Sequence, residues 1–194
     1  MNKCSLRFLE HTKHREIHLI KAFESSPSIG HILEFGVGGG RSMRMLFKLI
    51  DNRLIYGFDS FEGLPEEWVM QKETKVYPAG AFKYDPPNIS GVEYRIGLFE
   101  DTIPKWIEDC PGMIAFLHID SDLYSSCVTV LELLDKQIVP GTVIVFDEMF
   151  EGLFYTEWRE GEYKAFNEWM ERHDRKVFEL NRTEYGEASF RIIK

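Results

Sequence analysis

The stretch His31-Ile-Leu-Glu-Phe-Gly-Val-Gly-Gly-Gly-Arg-Ser42 decides the fold. An apolar run from Ile32 to Phe35 stops at Gly36, and Gly38, Gly39 and Gly40 follow. Apolar residues at helical spacing (Met43, Leu46, Phe47, Leu49 and Ile50) then begin after Arg41. A buried strand that enters a glycine turn and then a helix lets backbone N–H groups approach a ligand closely. A dinucleotide turn, G-x-G-x-x-G counted from Gly36, requires a small residue at position 41, where Arg41 stands. The pattern that fits is Glu34-x-Gly36-x-Gly38-x-Gly40, alternate glycines led by an acid. A tight turn without a ligand is the competing reading, but turns alone rarely need this many glycines.

The rest of the chain repeats the alternation of strand and helix. Residues 5–24 carry Leu6, Leu9, Ile17 and Ile20 at helical spacing, and Ser25-Ser-Pro27-Ser closes the segment. His11, His14 and His18 share a face of that helix, but no carboxylate or cysteine motif completes a metal site, so a solvated or packed face is expected. Further strands are expected at 54–58, 92–96, 113–119 and 142–146, with helices from 101 or 102 to 107, from 123 to 137 (Val130, Leu131, Leu133 and Leu134 inward) and from 161 to 173. Strand-like runs at 176–180 and 187–193 close the chain. This order indicates one α/β domain with a mostly parallel sheet and an antiparallel closing pair. Residues 60–91, rich in Gly, Pro and aromatics, show no period and are expected to form either a lid or a packed surface excursion.

Bulk properties narrow the function. The chain has 194 residues, 32 acidic and 23 basic, for a net charge of −9 and no basic run, which argues against a nucleic-acid backbone as partner. Cysteines 4, 110 and 127 lie too far apart for a disulfide framework or zinc spacing. Charges at Lys3, Arg7, Glu10 and Lys13 interrupt the N-terminus, and no stretch has the length of a membrane span. A cytoplasmic setting with a small-molecule partner is the expectation.

Acids end most of the strands. Asp59 closes the second strand, 19 residues after Gly40, where such folds place a carboxylate for ribose hydroxyls. The fourth strand delivers Asp120-Ser-Asp122 and the fifth Asp147-Glu148. Strand ends of an open α/β sheet line one crevice, so these acids should converge beside the glycine turn. Crowded carboxylates repel unless a cation joins them, and a hard ion such as Mg²⁺ meets that need while leaving positions for a substrate oxygen. Helix capping accounts for Asp120 or Asp122 alone, but poorly for a second acidic pair on the adjacent strand. Phe99 would pack against adenine or in the core. His118 points by period two to the same face as Asp120 and is a reserve base or a buried histidine.

Five segments in order, 33–42, 57–65, 97–101, 118–124 and 140–148, resemble the macrocin O-methyltransferase family. Their glycine loop is similar to motif I of class I methyltransferases. The resemblance implies a seven-stranded Rossmann-like domain that binds S-adenosylmethionine (SAM) and Mg²⁺ and methylates sugar or natural-product hydroxyls, with homo-oligomers an option. It implies that Asp120, Asp147 and Glu148 hold the metal and that Asp122 is the general base. Gly36, Gly38 and Ser42 would meet the methionine end of SAM and Asp59 its ribose, with Glu34, Val37, Gly40, Ser60, Phe61, Phe99 and Asp120 completing the cofactor contacts. Leu123 stands where the related catechol enzymes carry a lysine, which excludes a lysine base there. A catechol-type methyltransferase acting on a small diol and a non-catalytic SAM-binding module are the alternatives.

Overall fold

The computed structural model describes residues 3–50, 53–71, 74–152 and 155–194. In chain order the elements are α1 (Lys3–Glu24), β1 (His31–Phe35), α2 (Arg41–Phe47), β2 (Ile55–Asp59), β3 (Trp68–Gln71), β4 (Lys75–Tyr77), β5 (Val92–Ile96), α3 (Phe99–Asp109), β6 (Ile114–Ile119), α4 (Tyr124–Leu133), β7 (Val143–Phe146), α5 (Glu162–Arg172), β8 (Val177–Arg182) and β9 (Ala188–Ile192). Seven strands form one sheet in the order β5-β2-β1-β6-β7-β9-β8. β5, β2, β1, β6 and β7 run parallel, and β9 lies antiparallel to both β7 and β8. β3 and β4 pair as a separate hairpin.

Period two along the central strands sorts their side chains between two helical layers. Ile32, Ile55, Phe116, Val143 and Val145 face α1 and α2, where Leu19, Ala22, Phe23, Met43 and Leu46 meet them. Leu33, Phe35, Phe58, Leu117, Ile119, Ile144 and Phe146 face the other way, toward Ile103, Trp106, Val130, Leu131, Phe166 and Trp169 of α3, α4 and α5. Glu34 and His118 are paired in register on adjacent strands, on the α1 side. The same alternation sends Asp120 and Asp147, one step past β6 and β7, to that side as well.

Some element ends differ from those expected. α3 begins at Phe99, so Asp101 and Thr102 lie inside it and do not cap it; the Thr102 hydroxyl instead donates back to the Leu98 carbonyl at 2.9 Å. α4 stops at Leu133, whose side chain is exposed, because the chain turns before completing the expected last turn. α2 likewise ends at Phe47. Residues 60–91 contain the β3–β4 hairpin, too short and too irregular in register for a period to show in sequence. Leu64 closes its base, donating to the Ala81 carbonyl and accepting from Gly80, both at 2.8 Å.

Gly36 is where the parallel sheet admits a turn at its carboxyl edge. Its φ is +86°, and a Cβ there would lie 1.8 Å from the Asp120 carbonyl oxygen, so strain and collision forbid any side chain. Gly36→Ala is expected to cost about 3 kcal/mol, by analogy with overpacked and strained sites, read as a lower midpoint in urea denaturation.

Candidate active site

The backbone ladder continues past the strands and fixes the residues that end them. Gly36 N–H donates to the Phe58 carbonyl at 2.9 Å, Asp120 N–H to Phe35 at 2.9 Å, Asp147 N–H to Ile119 at 3.2 Å and Gly97 N–H to Asp59 at 3.1 Å. β1 connects to β2 on one side and has β6 on the other, so the crevice opens where the strand order reverses. A cavity of about 750 Å³ lies there. Gly36, Val37, Gly38, Ser42, Asp59, Ser60, Phe99, Asp120, Asp122, Asp147 and Glu148 line it.

Glu34, Gly40, Phe61 and His118 do not line the cavity but stand behind it. Glu34 is fully buried; it accepts a hydrogen bond from the Ser42 hydroxyl at 2.8 Å and tethers α2 to β1. A Cβ on Gly40 would meet Pro87. Phe61 turns its ring onto Tyr94, while its N–H donates to Asp59 Oδ1 at 2.7 Å. Gly38 N–H donates to the other Asp59 oxygen at 2.8 Å. Asp59 therefore clamps the glycine loop to the end of β2 and still faces the cavity. The Tyr84 ring lies over the loop, 3.6 Å from where Cβ atoms of Gly38 and Gly39 would be. Phe99 packs edge-on against Phe35 at 5.1 Å, as the core reading expects, and also lines the cavity.

The strand-end acids converge as expected, and two residues absent from the sequence reading join them. Arg15, on α1, pairs with Asp120 and, at 2.7 Å, with Asp147. It falls at the i position of the buried stripe Arg15, His18, Leu19, Ala22, which is the signal that could have found it. Glu162, in the first turn of α5, is fully buried and accepts the Glu148 N–H at 3.0 Å, fixing the chain as it leaves β7. His118 sits between Glu34 at 3.4 Å and Asp147 at 3.7 Å. Burial alone would lower the His118 pKa, but Asp147 and Glu34 outweigh it and push it up to about 10.

Burial raises the acids. Asp120 is pushed up to about 6 by burial, with Arg15 opposing and Asp147 adding. Burial followed by the charges of Asp120 and Asp147 lifts Asp122 well above the usual carboxylate range. Glu148 and Glu162 are lifted well above it too, mainly by burial. Glu148 Oε2 and Glu162 Oε1 are buried without a hydrogen-bond partner. A divalent cation fits this donor set. Among the described residues, ligand atoms within 4.8 Å of one another group Asp120 with Asp122 and Glu148, and Asp120 and Asp147 with His118. Asp122 holds a φ of +62°, a strained conformation for a non-glycine residue.

The hairpin closes the outer side of the cavity. Trp68, Met70, Lys75, Tyr77, Phe82 and Tyr84 line it, with Trp68 and Tyr77 stacked at 5.7 Å. Of the helical histidines, His18 is buried with Nε2 2.9 Å from Ser189 Oγ, and His14 meets the Tyr185 ring edge-on. The side chains of Leu6, Leu9 and His11 lie outside the described residues. Among the described residues, no helix is long and apolar enough to cross a membrane.

A comparison with curated protein sequences found no match. Solved structures share the fold. CalS11, a calicheamicin methyltransferase also described as a TDP-rhamnose 3'-O-methyltransferase, is 22% identical, with a TM-score of 0.73 over 93% of this chain and 79% of its own. The O-methyltransferase NovP is 19% identical, with a TM-score of 0.64 over 93% and 80%. An O-methyltransferase from Bacillus cereus, solved with S-adenosylhomocysteine (SAH), is 15% identical, with a TM-score of 0.58 over 94% and 81%. The family model described as a methyltransferase domain matches residues 33–149, from the glycine-loop strand through the acids that end β7, and the chain belongs to that methyltransferase family.

Proposed function

We propose that the protein is a SAM- and Mg²⁺-dependent O-methyltransferase acting on a hydroxyl of a sugar or other natural product, of the macrocin type. The observation that carries this reading is the meeting, in one cavity, of a glycine loop clamped by Asp59 with a cluster of acids, Asp147 buried and Asp120, Asp122 and Glu148 half-buried. The likeness to CalS11, described as a TDP-rhamnose 3'-O-methyltransferase, supports a sugar or natural-product acceptor, as does the aromatic wall beside the hairpin.

Asp120, Asp147 and Glu148 would hold the cation. When bound, SAM supplies an electrophilic methyl group and Mg²⁺ lowers the pKa of the acceptor hydroxyl. The chain's own part is mostly positional. The bare backbone at Gly36 and Gly38 permits close approach, Asp59 offers its remaining lone pairs to ribose hydroxyls, and the ladder at the sheet edge holds loop and acids in fixed relation. The Asp122 carboxylate, facing the cavity, would take the proton that the acceptor hydroxyl loses. The wall of Trp68, Tyr77 and Phe82 keeps water from the reacting atoms. His118 is the weaker candidate for the base, since it is buried and does not line the cavity.

Isothermal titration with SAM and SAH, with and without Mg²⁺, is expected to show micromolar cofactor binding, and Asp147→Ala should keep it while losing Mg²⁺ binding. SAM binding without any Mg²⁺ effect would leave the cofactor reading and remove the metal. Asp122→Asn should lower turnover about 100-fold or more, the usual size of a lost general base, with SAM and Mg²⁺ affinities unchanged. Full turnover in that variant would remove Asp122 as the base.

A further inference from the structure

We propose that Arg15 is a resident cation of the acidic cluster, and that a divalent ion binds in competition with its guanidinium; this rests on the metal-dependent reading above. Arg15 is carried on a helix that cannot readily withdraw. One turn later His18 bonds Ser189 across the sheet, and Leu19, Ala22 and Phe23 are packed in the core. The neighbouring Glu16 pairs with Arg41 at 2.9 Å, at the start of the helix that follows the glycine loop. The guanidinium thus arrives on a fixed support, and its Nη2 atom meets the Oδ2 atoms of both Asp120 and Asp147.

That contact divides the carboxylates. Asp147, facing Arg15 and His118, belongs to the cluster with His118 and Asp120. Glu148 belongs to the other cluster, with Asp120 and Asp122. The ion seat made of Asp120, Asp147 and Glu148 forms when Asp147 turns from the guanidinium toward the side where Glu148 stands. Arg15 lines the cavity, so a released guanidinium has open space in which to swing. Charge works in the same direction as geometry. A fixed positive charge touching two ligand carboxylates repels an incoming divalent ion, and does so strongly in a partly buried site. The cluster is therefore neutralised in part without metal, at the expense of metal affinity.

The test is Mn²⁺ binding by the full chain, followed through the electron paramagnetic resonance signal of free Mn²⁺. Arg15→Gln should bind Mn²⁺ about tenfold or more tightly than the wild type, the scale expected for removing a charge in contact with the ligands. Lys13→Gln, which removes an exposed charge from the same helix, should stay within about twofold, as a screened surface charge does. Arg15→Lys keeps the charge on a shorter side chain that reaches both Oδ2 atoms less well, so it should fall between wild type and Arg15→Gln, and it serves if Arg15→Gln does not fold. Metal-free Arg15→Gln should melt below the wild type, and Mn²⁺ should raise its melting temperature by the larger amount. Equal or weaker binding in Arg15→Gln overturns the competition and leaves the metal reading standing. Absence of binding in every variant overturns both, whereas binding by Arg15→Gln alone supports the competition in its strongest form.

Discussion

Buried negative charge at one edge of the sheet is the constraint on which the site depends. Glu34, His118, Asp120 and Asp147 share the α1 face because side chains alternate along parallel strands held in register. The ladder bonds beyond β6 and β7 then leave Asp120 and Asp147 no backbone route away from each other. Removing an unpaired carboxylate from water costs several kcal/mol even after relaxation, so ionised acids in this position require cations. Among the described residues, the His118 ring from within the sheet and the Arg15 guanidinium from the N-terminal helix meet these acids. They do not reach every acid, and the unpartnered oxygens of Glu148 and Glu162 mark where compensation is incomplete.

The glycine loop is bound to the same edge by complementary means. Gly36 lies against the Asp120 carbonyl so closely that the loop and the first acid of the cluster form one rigid piece. Asp59 extends that piece to β2 through the N–H groups of Gly38 and Phe61, and Glu34 extends it to α2 through Ser42. Glu34 thus contributes to the loop without touching the cavity, tethering the helix that follows the glycines. A ligand held by the loop and a group held by the acids would therefore keep a fixed separation, which in-line transfer between them requires.

Local features of the sequence were legible because their causes are local. The strand, glycine turn and helix at 31–47, the acid at the end of β2 and the acidic pairs ending β6 and β7 follow from periodicity and turn chemistry within short windows. Arg15 and Glu162 were not. Arg15 is 105 residues from Asp120, and nothing in the local pattern of α1 says which strand ends its guanidinium will reach. Glu162 reads as an ordinary acid in the first turn of a helix until α5 is laid against the turn at Glu148. The hairpin was hidden because its strands are four and three residues long, with a shift in register between them.

The three features invisible in sequence have a common position, at the rim where the sheet edge meets the rest of the chain. The parallel core fixes the acids and the loop, but it has no side chains of its own to cover them from outside. Arg15 covers the acids from the N-terminal helix, Glu162 steadies the exit of β7 from the last helix, and Trp68 and Tyr77 of the hairpin, with Phe82 just after it, wall the cavity. Each covering group comes from a segment outside the parallel strands that form the edge. On the proposed function the edge would carry the chemistry, and these covering segments would set which acceptor enters and how readily a cation takes its seat.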